Sequence, residues 1–268
     1  MVNPERALAL EYAERADAYV ERWGPVLHPM ALPLLEAMPL ADTHRLLDVG
    51  AGTGGLWPAI RRAAPQAQLW GIDRSDGMLR AGGDMLQHRV AVMDAQRLGI
   101  RPGVFDAALM CFVLFHIPDP VAALQEIREV LAPQGCLGLV IWGNDPGLPG
   151  ASIWTEELDR AGAGPDPRDP RLMRQGWMDT TEKLARLLEL GGFRVDRLWS
   201  RIFGRPWTVE DLLVTQTRCG LPSRRLAALD GPAREGCIER VRERLRQLRP
   251  AALTYHVEIL YGLAHRSA

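Results

Sequence analysis

The chain is 268 residues long with 47% hydrophobic and 24% charged residues, a balance that excludes a disordered or collagen-like chain and allows a full core. At about 150 residues per domain, this length fits one large domain with insertions or two small ones. Lys plus Arg (32) against Asp plus Glu (33) leaves a net charge of -1, which gives no overall field to hold a polyanion. In chain order, Leu8, Tyr12, Ala16, Tyr19 and Trp23 recur at the spacing of one apolar helix face, and Gly24-Pro25 is expected to end that helix. A second helical stretch runs to about Met38, with Pro29 and Pro33 expected to kink it or delay its start. Residues 45–49 (RLLDV) read as a short strand, followed by a Gly-rich turn and a helix to about Arg62. Residues 68–73 (QLWGID) read as a second strand, 75–86 as a helix with Ser75 as N-cap, and 88–93 as a third strand. A fourth strand lies within 105–115, nearly continuous in apolar residues as suits a parallel strand covered on both faces. A helix at 121–131 and a fifth strand at 135–142 complete the alternation.

Five strand–helix alternations argue for β-α-β units in a doubly wound sheet. After the fifth strand, 144–179 is rich in Pro, Gly and Asp with one helical candidate at 153–161, and reads as an insertion. Residues 180–190 form an amphipathic helix, 194–207 a strand, 208–248 a second, mostly helical insertion, and 252–264 the last strand. The expected fold class is therefore α/β: a Rossmann-like, doubly wound, mostly parallel seven-stranded sheet with a helical N-terminal segment and helical insertions. Residues 234–249 carry six arginines and three glutamates, but Ile238, Val241, Leu245 and Leu248 fall at helical spacing, so the arginines are expected to coat an outer helix face. The alternative is a face for an anionic ligand or RNA.

Cys111, Cys136, Cys219 and Cys237 are widely spaced, with no Cys-x-x-Cys pair or Cys/His cluster, so no metal site is expected. Cys111 and Cys136 sit in apolar runs and read as free thiols, which fits a reducing cytoplasm. The N-terminal residues carry Glu5, Arg6, Glu11 and Glu14 where a signal peptide needs an apolar stretch, and the longest uncharged apolar run, 107–115, is too short to cross a bilayer. A cytoplasmic protein without membrane contact is expected.

The most informative run is LLDVGAGTGG, 46–55, in which Gly50, Gly52 and Gly55 satisfy G-x-G-x-x-G between a strand and a helix. A dinucleotide would place its pyrophosphate near Asp48, and two like charges a few Å apart in a partly buried cleft cost kilocalories. The turn suits a ligand with positive charge and no phosphate. S-adenosylmethionine (SAM) is such a ligand. With GIDRSDGML, VMDAQRLG, FDAALMCFVLFHIPDP and the strand GCLGLVIWG following in order, 45–143 resembles the class I SAM-dependent methyltransferases, and more narrowly the UbiE-like "type 11" group.

That resemblance implies a SAM-binding core at 44–143, an N-terminal helical cap at 1–43, lid insertions at 144–179 and 208–250, and core segments at 180–207 and 251–268. It implies that Gly50, Ala51, Gly52 and Gly54 lie against the methionine and ribose portions, with Asp48 as the anion near the cationic end. Asp73, at the tip of strand two, would accept the ribose hydroxyls, a role it would equally serve for NAD. Arg74 and Met78 would flank the adenine, Asp94 would accept from its amino group beside Ala95, and Cys111 and Phe112 would back the sulfonium and methyl group. Tyr19 and Trp23, with Tyr12, either pack the first helix or line the cofactor through cation–π contact. His116 is the placed candidate for a general base; a structural tie of the loop after strand four is the other reading.

Family members that grip exocyclic amines or amides carry an N/D-P-P-Y/F turn after strand four. Here that place reads Met110-Cys111-Phe112-Val113, which disfavours such acceptors. No basic tract with interleaved aromatics points to nucleic acid. A small hydrophobic or aromatic acceptor is expected beneath lids carrying Trp154, Trp177 and Trp207, in a monomer or homodimer. The competing readings are a nicotinamide oxidoreductase, an RNA or protein methyltransferase, and a SAM-binding cyclase or sensor without methyl transfer.

Overall fold

The computed structural model describes residues 3–86, 89–173 and 175–266. Helix α1 (Pro4–Glu14) starts at Asn3, whose side chain accepts from the Glu5 N–H at 2.9 Å, and ends at Arg15. A single turn, α2 (Ala16–Ala18), and a π-helical turn (Tyr19–Trp23) lead directly into α3 (Gly24–Ala37). The expected stop at Gly24-Pro25 and the kink or delay at Pro29 and Pro33 are corrected: both prolines lie inside α3. Pro25 occupies the first turn, where its missing N–H has no intrahelical role. Its carbonyl, deprived of the Pro29 N–H, lies 3.4 Å from Arg205 Nη1.

The sheet is built from β1 (Arg45–Val49), β2 (Gln68–Asp73), β3 (Val90–Val92), β4 (Phe105–Cys111), β5 (Leu131–Trp142), β6 (Phe193–Pro206) and β7 (Thr254–Arg266). Its order is β3-β2-β1-β4-β5-β7-β6. Strands β1 to β5 pair in parallel, whereas β7 runs antiparallel to both β5 and β6. The sheet is thus doubly wound and mostly parallel, as expected. Of the third expected strand, 88–93, the part at His88 lies outside the described residues.

Alternation along the strands splits the core between two faces. Leu46, Leu69, Leu109 and Val140 face α3, α4 (Trp57–Ala63) and α5 (Asp76–Gly82), joining Leu34, Ile60 and Leu79. Leu47, Ile72, Met110 and Leu139 face α6 (Pro120–Val130) and α8 (Thr181–Leu190), joining Leu124, Ile127, Leu184 and Leu188. Fully burying such side chains contributes roughly 1.5–3 kcal/mol each.

The first insertion carries α7 (Ala151–Arg160) and the second carries α9 (Val209–Arg218), α10 (Gly220–Leu226) and α11 (Gly231–Arg246). The arginines of α11 serve as braces: Arg240 and Arg244 meet the fully buried Glu157 of α7 at 2.8 and 2.9 Å, and Arg242 and Arg246 reach Glu210 of α9. Among the described residues no helix is long and apolar enough to cross a membrane.

Candidate functional site

The carboxyl ends of β1, β2 and β4 open onto a cavity of about 390 Å³, within the usual range of small-molecule sites. The turn after β1 folds back on β2, with the Gly50 and Ala51 N–H groups donating to the Ile72 carbonyl at 2.8 and 2.9 Å. Gly50 has φ of 75°, and a Cβ there would stand 2.2 Å from Val113 Cγ2, so the turn admits only glycine. Asp73 sits at the tip of β2 with its oxygens oriented by the Gly52 N–H (2.9 Å) and the Ser75 N–H (2.8 Å). Burial raises its carboxyl above the usual range against those two donors. Its remaining lone pairs are available to a ligand in the cavity.

Asp48 is buried at the end of β1, where its Oδ2 accepts from Trp57 Nε1 at 2.9 Å. Burial pushes its carboxyl up to about 7. It faces a small side pocket of about 40 Å³ that also contacts Ala51, Gly50, Gly52, Tyr19, Cys111 and Phe112. Arg74 lines the main cavity and pairs with Asp94 at 2.6 Å and with Glu5 at 3.5 Å. Burial opposes ionisation of Asp94, but the Gln96 N–H and Arg74 outweigh it and hold the carboxyl below its ordinary value.

Of the residues expected at the site, Tyr19, Trp23, Gly50, Gly52, Asp73, Arg74, Met78, Ala95, Cys111, Phe112 and His116 line the main cavity. Asp48 and Ala51 line the side pocket. Two placements differ. Gly54 turns away, because the space beside its α-carbon is filled by Leu86, whose Cδ2 would lie 2.5 Å from an added Cβ. Asp94 is engaged by Arg74 and Gln96 at the rim, so Ala95 is the neighbour that reaches the cavity wall.

Phe112 has φ of 60°, an uncommon backbone for a bulky side chain and one that persists only where its surroundings impose it. Its N–H donates to Val140 O at 2.8 Å and its ring packs on Trp142 at 4.8 Å. This conformation holds the Phe112 ring in the cavity wall beside Cys111. The thiol of Cys111 is pushed well up by burial and by Asp48.

Helix α1 closes the cavity from above the sheet edge. It approaches α5 at Gly77, where a Cβ would stand 2.4 Å from Ala13 Cβ, and the Ser75 hydroxyl donates to Ala9 O at 2.8 Å. Tyr12 from α1 and Tyr19 and Trp23 from the π-helical turn all line the cavity, although they belong to separate segments and not to the single helix expected. Tyr12 and Tyr19 meet edge-on at 6.4 Å, and Trp23 lies 6.4 Å from Trp142.

His116 Nε2 lies 3.0 Å from the Tyr12 hydroxyl, so its ring ties the turn after β4 (Leu114–His116) to α1. Burial, with Arg168 and Arg224 nearby, pushes its conjugate acid down to about 3. The Tyr12 contact fits the structural-tie reading of His116, and a neutral, weakly basic imidazole would give a general base there little driving force.

The tryptophans expected in the lid walls are also corrected. Trp154 is buried with its Nε1 on Gln216 Oε1 at 2.5 Å, Trp207 is buried in the core, and Trp177 is exposed. The cavity tryptophans are Trp23 and Trp142. Both insertions nevertheless reach the wall, through Asp145, Leu148 and Arg168 from the first and Thr215, Leu221 and Arg224 from the second. Sequence reasoning missed Arg168 and Arg224, which no local pattern marks. It also missed the Trp57–Asp48 bond, whose only signal was an indole on the helix following the turn.

A methyltransferase-domain family profile matches residues 47–139. The ubiquinone/menaquinone biosynthesis C-methyltransferase UbiE of Cupriavidus taiwanensis is 36% identical over 98 residues, 34% of this chain and 40% of that protein. The malonyl-[acyl-carrier protein] O-methyltransferase of Geobacter sulfurreducens is 36% identical over 107 residues, 38% of this chain and 40% of that protein. The chain thus matches about 40% of the length of these curated relatives. The crystal structure of the YcgJ protein from Bacillus subtilis superposes with a TM-score of 0.58 at 18% identity, over 89% of this chain and 99% of that one, a likeness of fold. Residues 47–139 are thus similar to a methyltransferase domain, and UbiE C-methyltransferases are among the relatives that share part of the chain.

Proposed function

We propose that the protein is a SAM-dependent methyltransferase acting on a small hydrophobic or aromatic metabolite. The observation that carries this reading is one cavity with Asp73 at its strand-end floor, an aromatic helix above it and walls from both insertions. The polar groups suit SAM: Asp73 for the ribose hydroxyls, Asp48 for the ammonium, and a turn whose Gly50, Ala51 and Gly52 N–H groups are engaged by Ile72 O and Asp73 and not held for a phosphate. Ala95, Met78 and the Arg74 stem would border the adenine, with Asp94 holding Arg74 in place. Gly50, Ala51 and Gly52 would lie along the methionine chain. Tyr19, Trp23, Cys111 and Phe112 would surround the sulfonium and exclude water.

Bound SAM would supply a methyl on a positive sulfonium: the acceptor's lone pair forms the new C–acceptor bond, the S–CH₃ electron pair stays on sulfur in S-adenosylhomocysteine (SAH), and any proton on the acceptor passes to water. The protein's part is alignment and desolvation. His116 serves as a positioning residue that holds α1 over the site through Tyr12. The insertions act as lids over the acceptor. The two curated relatives are named for methylation at carbon in one case and at oxygen in the other, so the relationship leaves the acceptor atom open.

The test is incubation with methyl-labelled SAM and a panel of small aromatic and aliphatic acceptors, read by mass spectrometry. Transfer of the label to a small acceptor is expected. SAH binding without transfer to any acceptor would replace the reading with a cyclase or sensor. Thermal stabilisation by NADH and not by SAH would replace it with an oxidoreductase.

A further inference from the structure

The wall of the cavity contributed by the insertions brings two arginines, Arg168 and Arg224, to the cavity, and their carboxylate partners leave part of Arg224 unengaged. Arg168 engages Asp166 through Nε and Nη2, at 3.0 and 2.6 Å to Oδ2. Arg224 reaches Glu11 through Nε alone, at 2.5 Å, and the same Glu11 oxygen also takes Arg15 Nη1 at 2.7 Å. Three guanidinium groups thus share two carboxylates, and all three arginines line the cavity. The side chain of Arg224 is only 10% exposed and that of Arg168 only 21%, so water screens them poorly.

Arg168 and Arg224 are close enough to oppose each other. After burial, the Arg168 charge is the largest cause holding the Arg224 guanidinium below its ordinary value. The same two charges act on Tyr12 and His116, which places all four groups at one end of the cavity. Tyr12 and His116 are neutral and hydrogen-bonded to each other, so neither supplies a countercharge. Among the described residues, Arg224 Nη1 and Nη2 have no protein partner. Apolar side chains of Phe112, Phe115, Trp142, Leu148 and Leu221 also line the cavity, together with Asp145 and Thr215.

The geometry points to an acceptor that carries a carboxylate on a hydrophobic or aromatic frame, with the carboxylate seated between Arg168 and Arg224. This inference deepens the methyltransferase reading and rests on it. A planar monoanion matches the charge of the one guanidinium edge left without a protein partner, that of Arg224, and the fork of a guanidinium. A dianion would overshoot that charge beside Glu11 and Asp73. The carboxylate is an anchor in this account and need not be the methylated group.

The test uses the full chain saturated with SAH and two isosteric probes, 2-naphthoate and 2-naphthamide, titrated calorimetrically. Wild type is expected to bind the anion about tenfold or more tightly than the amide, as charge-assisted bonds at a poorly screened site predict. The double variant Arg168→Gln/Arg224→Gln is expected to bring the two probes to parity, with amide and SAH affinities unchanged. If that variant does not fold, each single variant should cut the preference severalfold.

Glu11→Gln removes the same tie between α1 and α10 but keeps the cation, so it should retain the preference. Equal binding of both probes by wild type would overturn the inference, as would a preference surviving in the double variant. So would a loss of SAH affinity in the arginine variants that Glu11→Gln does not share, since the arginines would then hold the cofactor. If wild type fails to bind SAH, the methyltransferase reading fails, and the same titrations without SAH decide whether the arginine pair selects anions.

Discussion

Asp48 gives the prediction that the structure makes most quantitative. Its carboxyl is pushed up to about 7 by burial, against the stabilising Trp57 bond. Only the ionised form attracts the ammonium of SAM or SAH. Around a value of 7, roughly one in ten molecules is ionised at pH 6 and nine in ten at pH 8, so SAH affinity should fall about tenfold from pH 8 to 6, about 1.4 kcal/mol. Asp48→Asn keeps an oxygen for the Trp57 indole but cannot ionise. It should bind SAH with nearly pH-independent affinity, close to that of wild type at low pH.

Without ligand the sign reverses. Because the folded-state value lies above the unfolded one, this group's contribution to stability is present at low pH and is lost as pH rises from about 4 through 7. The ligand-free Asp48→Asn variant should therefore melt above wild type at pH 8, with the gap closing by about pH 4. Calorimetric titration of SAH from pH 6 to 8, paired with melting curves, reads both effects. A pH-independent wild-type affinity, or an Asp48→Asn variant that matches wild type at pH 8, would refute the placement of the ammonium beside Asp48.

Three further outcomes follow from the same geometry. Asp73→Ala should weaken SAH binding by about 1–3 kcal/mol, because a charge-assisted acceptor for the ribose hydroxyls is lost; unchanged affinity in a folded variant would contradict the assignment. Removing residues 1–24 should leave a folded sheet with badly impaired SAH binding, and Gly77→Val, which forces α1 off α5, should reproduce part of that loss. Global unfolding of the truncated chain in circular dichroism would instead make the segment part of the core. His116 has a folded-state value below the unfolded one, so its contribution to stability is lost as pH falls from about 6.5, by up to about 1.4 kcal/mol per pH unit. His116→Asn should flatten that decline relative to wild type, measured variant against variant because Asp48 acts in the opposite direction. At saturating SAM, where the Asp48 effect on affinity drops out, the wild-type pH–rate profile should show no limb near 6.5; a limb that His116→Asn abolishes would restore the general-base role.

Elements whose residues carried a period or a punctuating cap were legible in the sequence. Strands β1 and β2, the Ser75 cap and the Asp48–Gly55 turn formed where the pattern placed them, because each is specified within a few neighbouring residues, whereas β5 begins at Leu131, ahead of its expected start at Gly135. The prolines of α3 misled because local helix-breaking was overridden by packing: Leu27, Met30 and Leu34 bury against the sheet whether or not two hydrogen bonds are missing. The placement of Gly54 and Asp94 depended on Leu86 and Arg74, partners from other elements. The position of His116 after β4 was visible, whereas its Tyr12 partner and the two arginines beside it come from α1 and the insertions. The arginine pair was illegible for the same reason, since Arg168 and Arg224 meet only in the fold.

The central claim is that SAH binds at the carboxyl ends of β1, β2 and β4, in the cavity floored by Asp73. A crystal structure of the chain grown with saturating SAH tests it most directly. The account predicts both ribose hydroxyls on the Asp73 carboxylate, the ammonium toward Asp48, and the sulfur between Phe112 and Trp23. SAH bound with its ribose elsewhere, or a cavity that stays empty at saturating SAH, would contradict it.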